Sequence, residues 1–159
     1  MKTEFLVQLD GASLTGDERI LIVGATNRPQ DLDEAARRRL VKRLYVPLPE
    51  KGARVYLINN LLNGQKHELD ESDCDKIAEL TDGYSGADMN NLCREAAMEP
   101  IRSMDCLDYS QIDHIEEDEI RAINYRDFEE AMSQVKASVS DKDLQMYLDW
   151  NKNFGSTAK

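Results

Sequence analysis

A short, continuously apolar run at residues 20–23 is the feature that most constrains the fold of this chain. Its residues are Ile-Leu-Ile-Val, and Gly24 and the polar run Thr-Asn-Arg-Pro at 26–29 follow it. A short β-branched run bounded by turn residues is typical of a buried strand in a parallel sheet. Residues 44–46 predict a second short strand. Because two isolated strands cannot form a stable sheet, residues 1–64 are interpreted as part of a larger α/β layer.

The remainder of the chain has the pattern of a helical bundle. Helices are expected at 3–10, at 32–40 and from Glu50 to near Gly64. Four later helices are expected to begin at polar capping residues: Asp70, Ser85 with Asp88, Asn124 with Asp127, and Ser140 with Asp143. The helix that begins at Ser85 is expected to end before Pro100, and the helix that begins at Asp70 to bury Cys74, Ile77 and Leu80. We therefore expect a division into residues 1–64, 65–136 and 137–159.

Composition excludes several classes of protein. The chain has 159 residues, about one domain. Its three cysteines form no C-x-x-C pair and its two histidines stand alone, so we expect no metal site and a reducing, intracellular location in the cytoplasm or nucleus. No apolar run approaches the roughly 20 residues of a membrane span, and the N-terminus does not resemble a secretory signal. Membrane partners are therefore not expected.

A cluster of basic residues departs from the overall charge of the chain. The formal net charge is −11, which opposes binding to nucleic acid or anionic membranes over the whole surface. Five cations nevertheless lie within seven positions: Arg37, Arg38, Arg39, Lys42 and Arg43. A solvated helix face or a nuclear-import patch is the ordinary explanation of such a cluster.

Four motifs in order carry a resemblance that extends over essentially the whole chain. GATNRP at 24–29, followed by LDEA at 32–35, resembles the segment of AAA ATPases that holds the sensor 1 asparagine. RRRLVKR at 37–43 resembles the arginine-finger segment of the microtubule-severing group, which contains katanin, spastin and fidgetin. YSGADM at 84–89 is similar to that group's small-domain motif beside the nucleotide base, and residues 144–155 resemble the C-terminal helix of Vps4-like proteins. Taken together, the segments 2–10, 35–49 and 86–97 look most like fidgetin-like proteins.

The resemblance implies catalytic roles for three residues. Asn27 would be the sensor 1 residue that orients the attacking water, although a turn residue before Arg28-Pro29 is the alternative. Arg38 and Arg39 would be the fingers offered to a neighbouring subunit, where a permanently charged guanidinium stabilises the γ-phosphate. Arg37 is interpreted as flanking, and Arg43 is expected to pair with a carboxylate across the subunit boundary.

The resemblance also implies a nucleotide contact in the helical part. Gly86 and Ala87 are small, so that the base or ribose could approach the backbone closely. An ordinary helix start capped by Ser85 is the alternative, and both interpretations can hold together. Tyr84 and Trp150 are expected to have packing roles.

The implied fold is the C-terminal part of a AAA P-loop large domain, followed by an all-α lid and a Vps4-type helix. The complete protein would bind ATP and Mg²⁺, assemble as a hexameric ring, and act on microtubules or another protein. The sequence contains no G-x-x-x-x-G-K-[ST] and no Walker B strand, so the chain alone is expected to be inactive and not to bind ATP tightly. The alternative is a non-enzymatic module that docks on full-length AAA rings. A nucleic-acid binder is disfavoured by the net charge.

Overall fold

The computed structural model describes residues 21–104 and 119–156, and these ranges are predominantly helical. A 3-10 turn at Pro29–Asp31 precedes six α-helices. They are α1 (Glu34–Arg39), α2 (Lys51–Leu61), α3 (Glu71–Leu80), α4 (Gly86–Arg102), α5 (Tyr125–Gln134) and α6 (Asp141–Phe154). The helix expected at 3–10 lies outside the described residues, as do Cys106, His114 and nearly all of the acidic stretch at 113–119.

Contacts divide the chain into two compact units. The first comprises Met1–Val46 with Asp141–Lys159, and the second comprises Pro47–Ser140. Residues 47–64 are thereby grouped with the helices that follow them. The expected division after residues 64 and 136 is one into family domains, which these contacts do not test, so it stays a prediction.

The second unit has a single apolar core between α2, α3, α4 and α5. Helix α4 packs against both α2 and α5, and α2 also packs against α3. Met89, Leu92, Cys93 and Ala96 of α4 are buried there, as is Phe128 of α5. The core consists of Ile58, Leu62, Cys74, Ile77, Ala78, Tyr84, Met89, Leu92, Cys93, Ala96, Ile123, Phe128 and Ala131.

Local capping explains where the helices of this unit begin. Ser85 and Asp88 form a reciprocal capping box at α4, and Asn124 and Asp127 form another at α5. The Asp70 carboxylate accepts a hydrogen bond of 2.8 Å from the backbone N–H three residues on, at the start of α3. Each cap satisfies N–H groups that have no partner within the helix. These three predicted helix starts are confirmed, and α6 begins at Asp141, directly after Ser140, the fourth predicted start.

Two details of the predicted helices are wrong. Leu80 is 60% exposed instead of lying in the core. Helix α4 does not end before Pro100 but continues through it to Arg102. Proline removes its own N–H donor and crowds the carbonyl of the residue four positions earlier. The side chain of Pro100 is fully buried, and this burial offsets part of that cost. The Ser103 N–H then donates to the Glu99 carbonyl at 2.9 Å and closes the last turn.

The strands predicted at 20–23 and 44–46 do not form within residues 21–23 and 44–46. Leu21 and Val23 are 86% and 80% exposed, and Leu44 and Val46 are 75% and 84% exposed. Strand structure requires hydrogen bonds to a neighbouring strand, and the described residues supply none to these segments. In the second unit, His67 and Ile123 form an isolated parallel bridge.

Two buried thiols lie in the core of the second unit. Cys74 and Cys93 are both free and buried. Burial, reinforced by the neighbouring Cys74, raises the pKa of the Cys93 thiol to about 12. Both side chains therefore act as small apolar groups in the core.

Candidate functional site

The basic cluster lies on and just after α1. Asp33 caps this helix by accepting a 2.8 Å hydrogen bond from the Ala36 N–H. The three consecutive arginines occupy the last turn, where the helix dipole favours positive charge. The five cations do not have equivalent surroundings.

Arg38 extends into solvent. Its side chain is 78% exposed, and its guanidinium lies 2.5 Å from a carboxylate oxygen of Glu34, itself 70% exposed, one turn earlier. An exposed ion pair at this spacing contributes only about 0.3–0.5 kcal/mol. Arg38 can therefore exchange Glu34 for another anion at little cost.

Arg39 and Arg37 are held closer to the protein. Arg39 is half-buried and donates to the Ala35 carbonyl at 3.2 Å. Arg37 donates to the Leu32 carbonyl, and its guanidinium lies 4.8 Å from the centroid of the Phe154 ring. A cation over an aromatic ring is an attractive contact, so Arg37 has a packing role within the first unit.

Arg43 donates to three main-chain carbonyls. Its Nη1 lies 2.6 Å from the Arg37 oxygen and 3.1 Å from the Leu40 oxygen, and its Nε lies 2.5 Å from the Phe154 oxygen. These contacts close the C-terminal ends of α1 and α6. The resemblance predicts a carboxylate of another subunit as the partner of Arg43; within this chain the described partners of its guanidinium are carbonyls.

Asn27 lies in an exposed turn of the same unit. The Arg28 N–H donates to Thr26 Oγ1 at 3.0 Å, and the Arg28 side chain pairs with Asp31 at 3.3 Å. The Tyr147 hydroxyl of α6 donates to the Asn27 carbonyl at 2.8 Å and so fixes the turn. This geometry has the features of a turn residue, and Asn27 is exposed.

Gly86 and Ala87 form the first turn of α4 in the second unit, and both are exposed. No atom lies within 4 Å of the position that a Gly86 side chain would take. Backbone N–H groups at a helix start can approach an anionic or polar ligand when no side chain shields them. Gly86 and Ala87 therefore begin an ordinary capped helix and are also accessible to a ligand.

A buried carboxylate holds this helix start in place. One oxygen of Asp88 accepts from the Ser85 N–H and hydroxyl at 2.9 and 2.8 Å, and from the Ser138 N–H and hydroxyl at 3.2 and 3.0 Å. Burial would raise the pKa of Asp88, but the hydrogen bonds from Ser85 and Ser138 outweigh it and lower the pKa below its ordinary value. The Tyr84 hydroxyl also donates to the Val135 carbonyl at 2.6 Å. Sequence reasoning missed Ser138, because no local pattern marks a contact 50 positions away.

Neither a metal cluster nor a membrane helix occurs in the part of the chain that the structure describes. Within residues 21–104 and 119–156, no three His, Cys, Asp or Glu side chains converge as metal ligands. No described helix combines the length and apolar character needed to span a bilayer.

Three family models match the chain in succession. The ATPase family associated with various cellular activities (AAA) matches residues 1–48, the AAA+ lid domain matches 71–122, and the Vps4 C-terminal oligomerisation domain matches 103–155. The chain belongs to the AAA family. It comprises the C-terminal part of an AAA domain, with a lid and a Vps4-type C-terminal region, as its motifs predicted.

Curated relatives place this AAA chain beside the fidgetin-like proteins and spastin. Fidgetin-like protein 1 of Homo sapiens is 55% identical over 155 residues, which is 98% of this chain and 23% of the relative. Spastin of Dictyostelium discoideum is 48% identical over 156 residues, again 98% of this chain and 23% of the relative. The chain thus spans about a quarter of the length of these relatives.

Solved AAA structures confirm the predicted fold class. The AAA domain of FIGL-1 in complex with ADP matches with a TM-score of 0.90 and 52% identity, over 98% of this chain and 52% of that one. A structure described as the basis for katanin self-assembly matches with a TM-score of 0.78 and 36% identity, over 95% of this chain and 52% of that one. The fold class of this AAA chain is therefore that of a C-terminal fragment of an AAA ATPase.

Proposed function

We propose that this chain serves as the C-terminal segment of an ATP-hydrolysing AAA protein and supplies three catalytic side chains. Asn27 orients the water that attacks the γ-phosphate. Arg38 and Arg39 reach the nucleotide of a neighbouring subunit and stabilise the charge that develops on the transferred phosphoryl group. The fidgetin-like, spastin and katanin relatives support a severing or remodelling ATPase.

One observation carries the assignment of the fingers: the unequal surroundings of the basic residues. Arg37 and Arg43 are engaged with main-chain carbonyls and an aromatic ring of their own unit. Arg38, in contrast, is 78% exposed and pairs with an exposed carboxylate. A finger must extend from its own subunit and exchange its resting partner for a phosphate at small cost. Arg38 meets both requirements. Arg39 is half-buried and donates to the Ala35 carbonyl, so its assignment rests on the resemblance of residues 37–43 to the arginine-finger segment.

The complete protein would bind ATP with Mg²⁺, and the ADP-bound FIGL-1 domain supports nucleotide binding. Gly86 and Ala87 would lie against the base or ribose, because both residues are exposed and open space surrounds the side-chain position of Gly86. None of the chain's residues is assigned to Mg²⁺, since its sequence contains no Walker B pattern. The match to the Vps4 oligomerisation domain supports assembly into a ring, which we propose to be a hexamer. Microtubules or another protein would be the substrate, in the cytoplasm or nucleus.

The deciding experiment uses the complete ATPase that carries this segment. Arg38→Ala and Arg39→Ala should each lower kcat by about 10³-fold or more and leave nucleotide binding largely intact, because the fingers act on the developing charge. Lys42→Ala, a neighbouring exposed cation, is the matched control and should leave kcat unchanged. Equal losses of nucleotide affinity and turnover would show that the two arginines are structural. The 159-residue chain alone should show no ATPase activity; turnover that Asn27→Ala abolishes would contradict this.

A second function is favoured by the oligomerisation match at residues 103–155. The chain would then dock, without catalysis of its own, on rings of full-length relatives and alter their turnover. Mixing the purified chain with an intact fidgetin-like ATPase distinguishes the two roles. A change in the ATPase rate or in ring assembly supports the docking role, and no change excludes it.

A further inference from the structure

Two segments that are far apart in sequence meet within the first unit. The Ser156 N–H donates to the Arg43 carbonyl at 2.8 Å, and the Arg43 N–H donates to the Ser156 hydroxyl oxygen at 3.0 Å. The Ser156 hydroxyl in turn donates to the Val41 carbonyl at 3.2 Å. The backbone that leaves α1 is thus paired with residues 154–156, which comprise the last residue of α6 and the two residues after it.

Side chains strengthen this junction from both directions. The Arg43 guanidinium joins the Arg37 and Leu40 carbonyls, at the end of α1, to the Phe154 carbonyl, at the end of α6. The Phe154 ring lies under the Arg37 guanidinium and 5.5 Å from the Trp150 ring. The carbonyls at a helix C-terminus have no partner within the helix, so one guanidinium serves both helix ends.

Helix α1 is too short and too exposed to be stable without contacts from other residues. It has six residues, fewer than an isolated helix needs to be stable in water. No residue of α1 is buried. Contacts at its ends must therefore determine where Arg38 and Arg39 lie, and at the C-terminal end those contacts converge on Arg43 and residues 154–156.

We propose that Arg43, together with residues 154–156, is a positioning element that aims the finger arginines of α1 at the neighbouring subunit. This inference rests on the proposed function, because it requires Arg38 and Arg39 to be fingers. Arg43 acts through α1 and does not touch the nucleotide. Misplacement of a catalytic group by about 1 Å can lower the rate by 10²-fold, so a loosened helix end should be visible in turnover.

The test uses the complete ATPase that carries this segment. Arg43→Met should lower kcat by at least about 10-fold, with ATP affinity and the assembled fraction unchanged. Arg43→Lys retains one cationic donor group and should recover part of the loss, since an ammonium reaches fewer carbonyls than a guanidinium. Lys42→Met removes the same charge one residue earlier and should have no effect. Ser156→Ala, a milder change, should lower kcat by a few fold.

The outcomes separate this inference from the assignment of the fingers. If Arg38→Ala and Arg39→Ala abolish hydrolysis but Arg43→Met and Ser156→Ala leave kcat unchanged, the positioning role is refuted and the fingers stand. If Arg38→Ala and Arg39→Ala have no effect on kcat, the assignment of the fingers is refuted, and the positioning role that depends on it is refuted as well. If Arg43→Met lowers kcat only in proportion to a lost folded or assembled fraction, Arg43 is structural and the inference is overturned.

Discussion

Replacing Asp88 with alanine should destabilise the second unit by about 2–3 kcal/mol. The substitution removes one half of a capping box, which contributes about 1 kcal/mol. It also removes two hydrogen bonds from Ser138, each worth about 0.5–1.5 kcal/mol. The lower half of that range, about 0.5–1 kcal/mol, applies to each of those two bonds because Ser138 is exposed and water can replace its partner. For a domain of roughly 100 residues, this loss corresponds to a decrease in Tm of about 10–20 °C.

Thermal and urea unfolding of the whole chain, followed by far-ultraviolet circular dichroism, measure this loss. Glu129→Ala is the matched control, since it removes one exposed helical carboxylate and should change the stability by no more than about 0.5 kcal/mol. Ser138→Ala should have an intermediate cost. An Asp88→Ala variant as stable as the Glu129→Ala variant would refute the role assigned to the buried carboxylate.

The lowered pKa of the Asp88 carboxylate predicts that the stability of the second unit decreases at low pH. The folded-state pKa of Asp88 lies below its ordinary value of 3.8, because the hydrogen bonds from Ser85 and Ser138 outweigh burial. Its contribution to stability is therefore complete above that value and is lost as the pH falls through the folded-state pKa. Asp88→Asn keeps an acceptor that does not titrate, so the stability difference from the wild type should shrink as the pH falls below 3.8. A pH-independent difference would contradict this explanation.

Two further predictions concern stability, and a third concerns the pKa of a buried carboxyl. Phe128→Ala should cost about 3–5 kcal/mol in urea unfolding, because the ring is fully buried and leaves a cavity. Gly155→Ala should cost about 1–3 kcal/mol, because the new methyl group would lie 2.5 Å from a backbone carbonyl oxygen. Gly52→Ala has open space in a helix and should stabilise by about 0.4–1 kcal/mol. Thermal unfolding should therefore show a lower Tm for the first variant and a higher Tm for the second. Arg121→Met removes both 2.7 Å bonds to the buried Asp127 and should raise the pKa of that carboxyl, which NMR titration measures.

Features set within a few residues could be predicted from the sequence. The capping box of Ser85 with Asp88 and that of Asn124 with Asp127 involve positions three apart, so the sequence contains all the information they need. The apolar face of α4 follows from helical periodicity in the same way. The order of the motifs predicted the family, which the matches to the AAA, lid and Vps4 models confirm.

Features set by distant contacts could not be predicted. The bond from Arg43 to the Phe154 carbonyl joins positions 111 apart, and that from Ser138 to Asp88 joins positions 50 apart. Five neighbouring cations also look alike in a sequence, yet the structure separates the exposed Arg38 from Arg37, which packs against an aromatic ring. Whether an apolar run such as residues 21–23 becomes a strand depends on the presence of partners, which periodicity does not report.

Chemical labelling of the buried Cys93 thiol can report the opening of the second unit. A thiol with a pKa of about 12 carries only about one thiolate in 10⁵ molecules at pH 7, and burial keeps alkylating reagents away from it. Its labelling therefore requires the helices around it to separate. The rate at which a thiol reagent modifies Cys93 measures how often the core opens under native conditions, without denaturant and without an introduced probe.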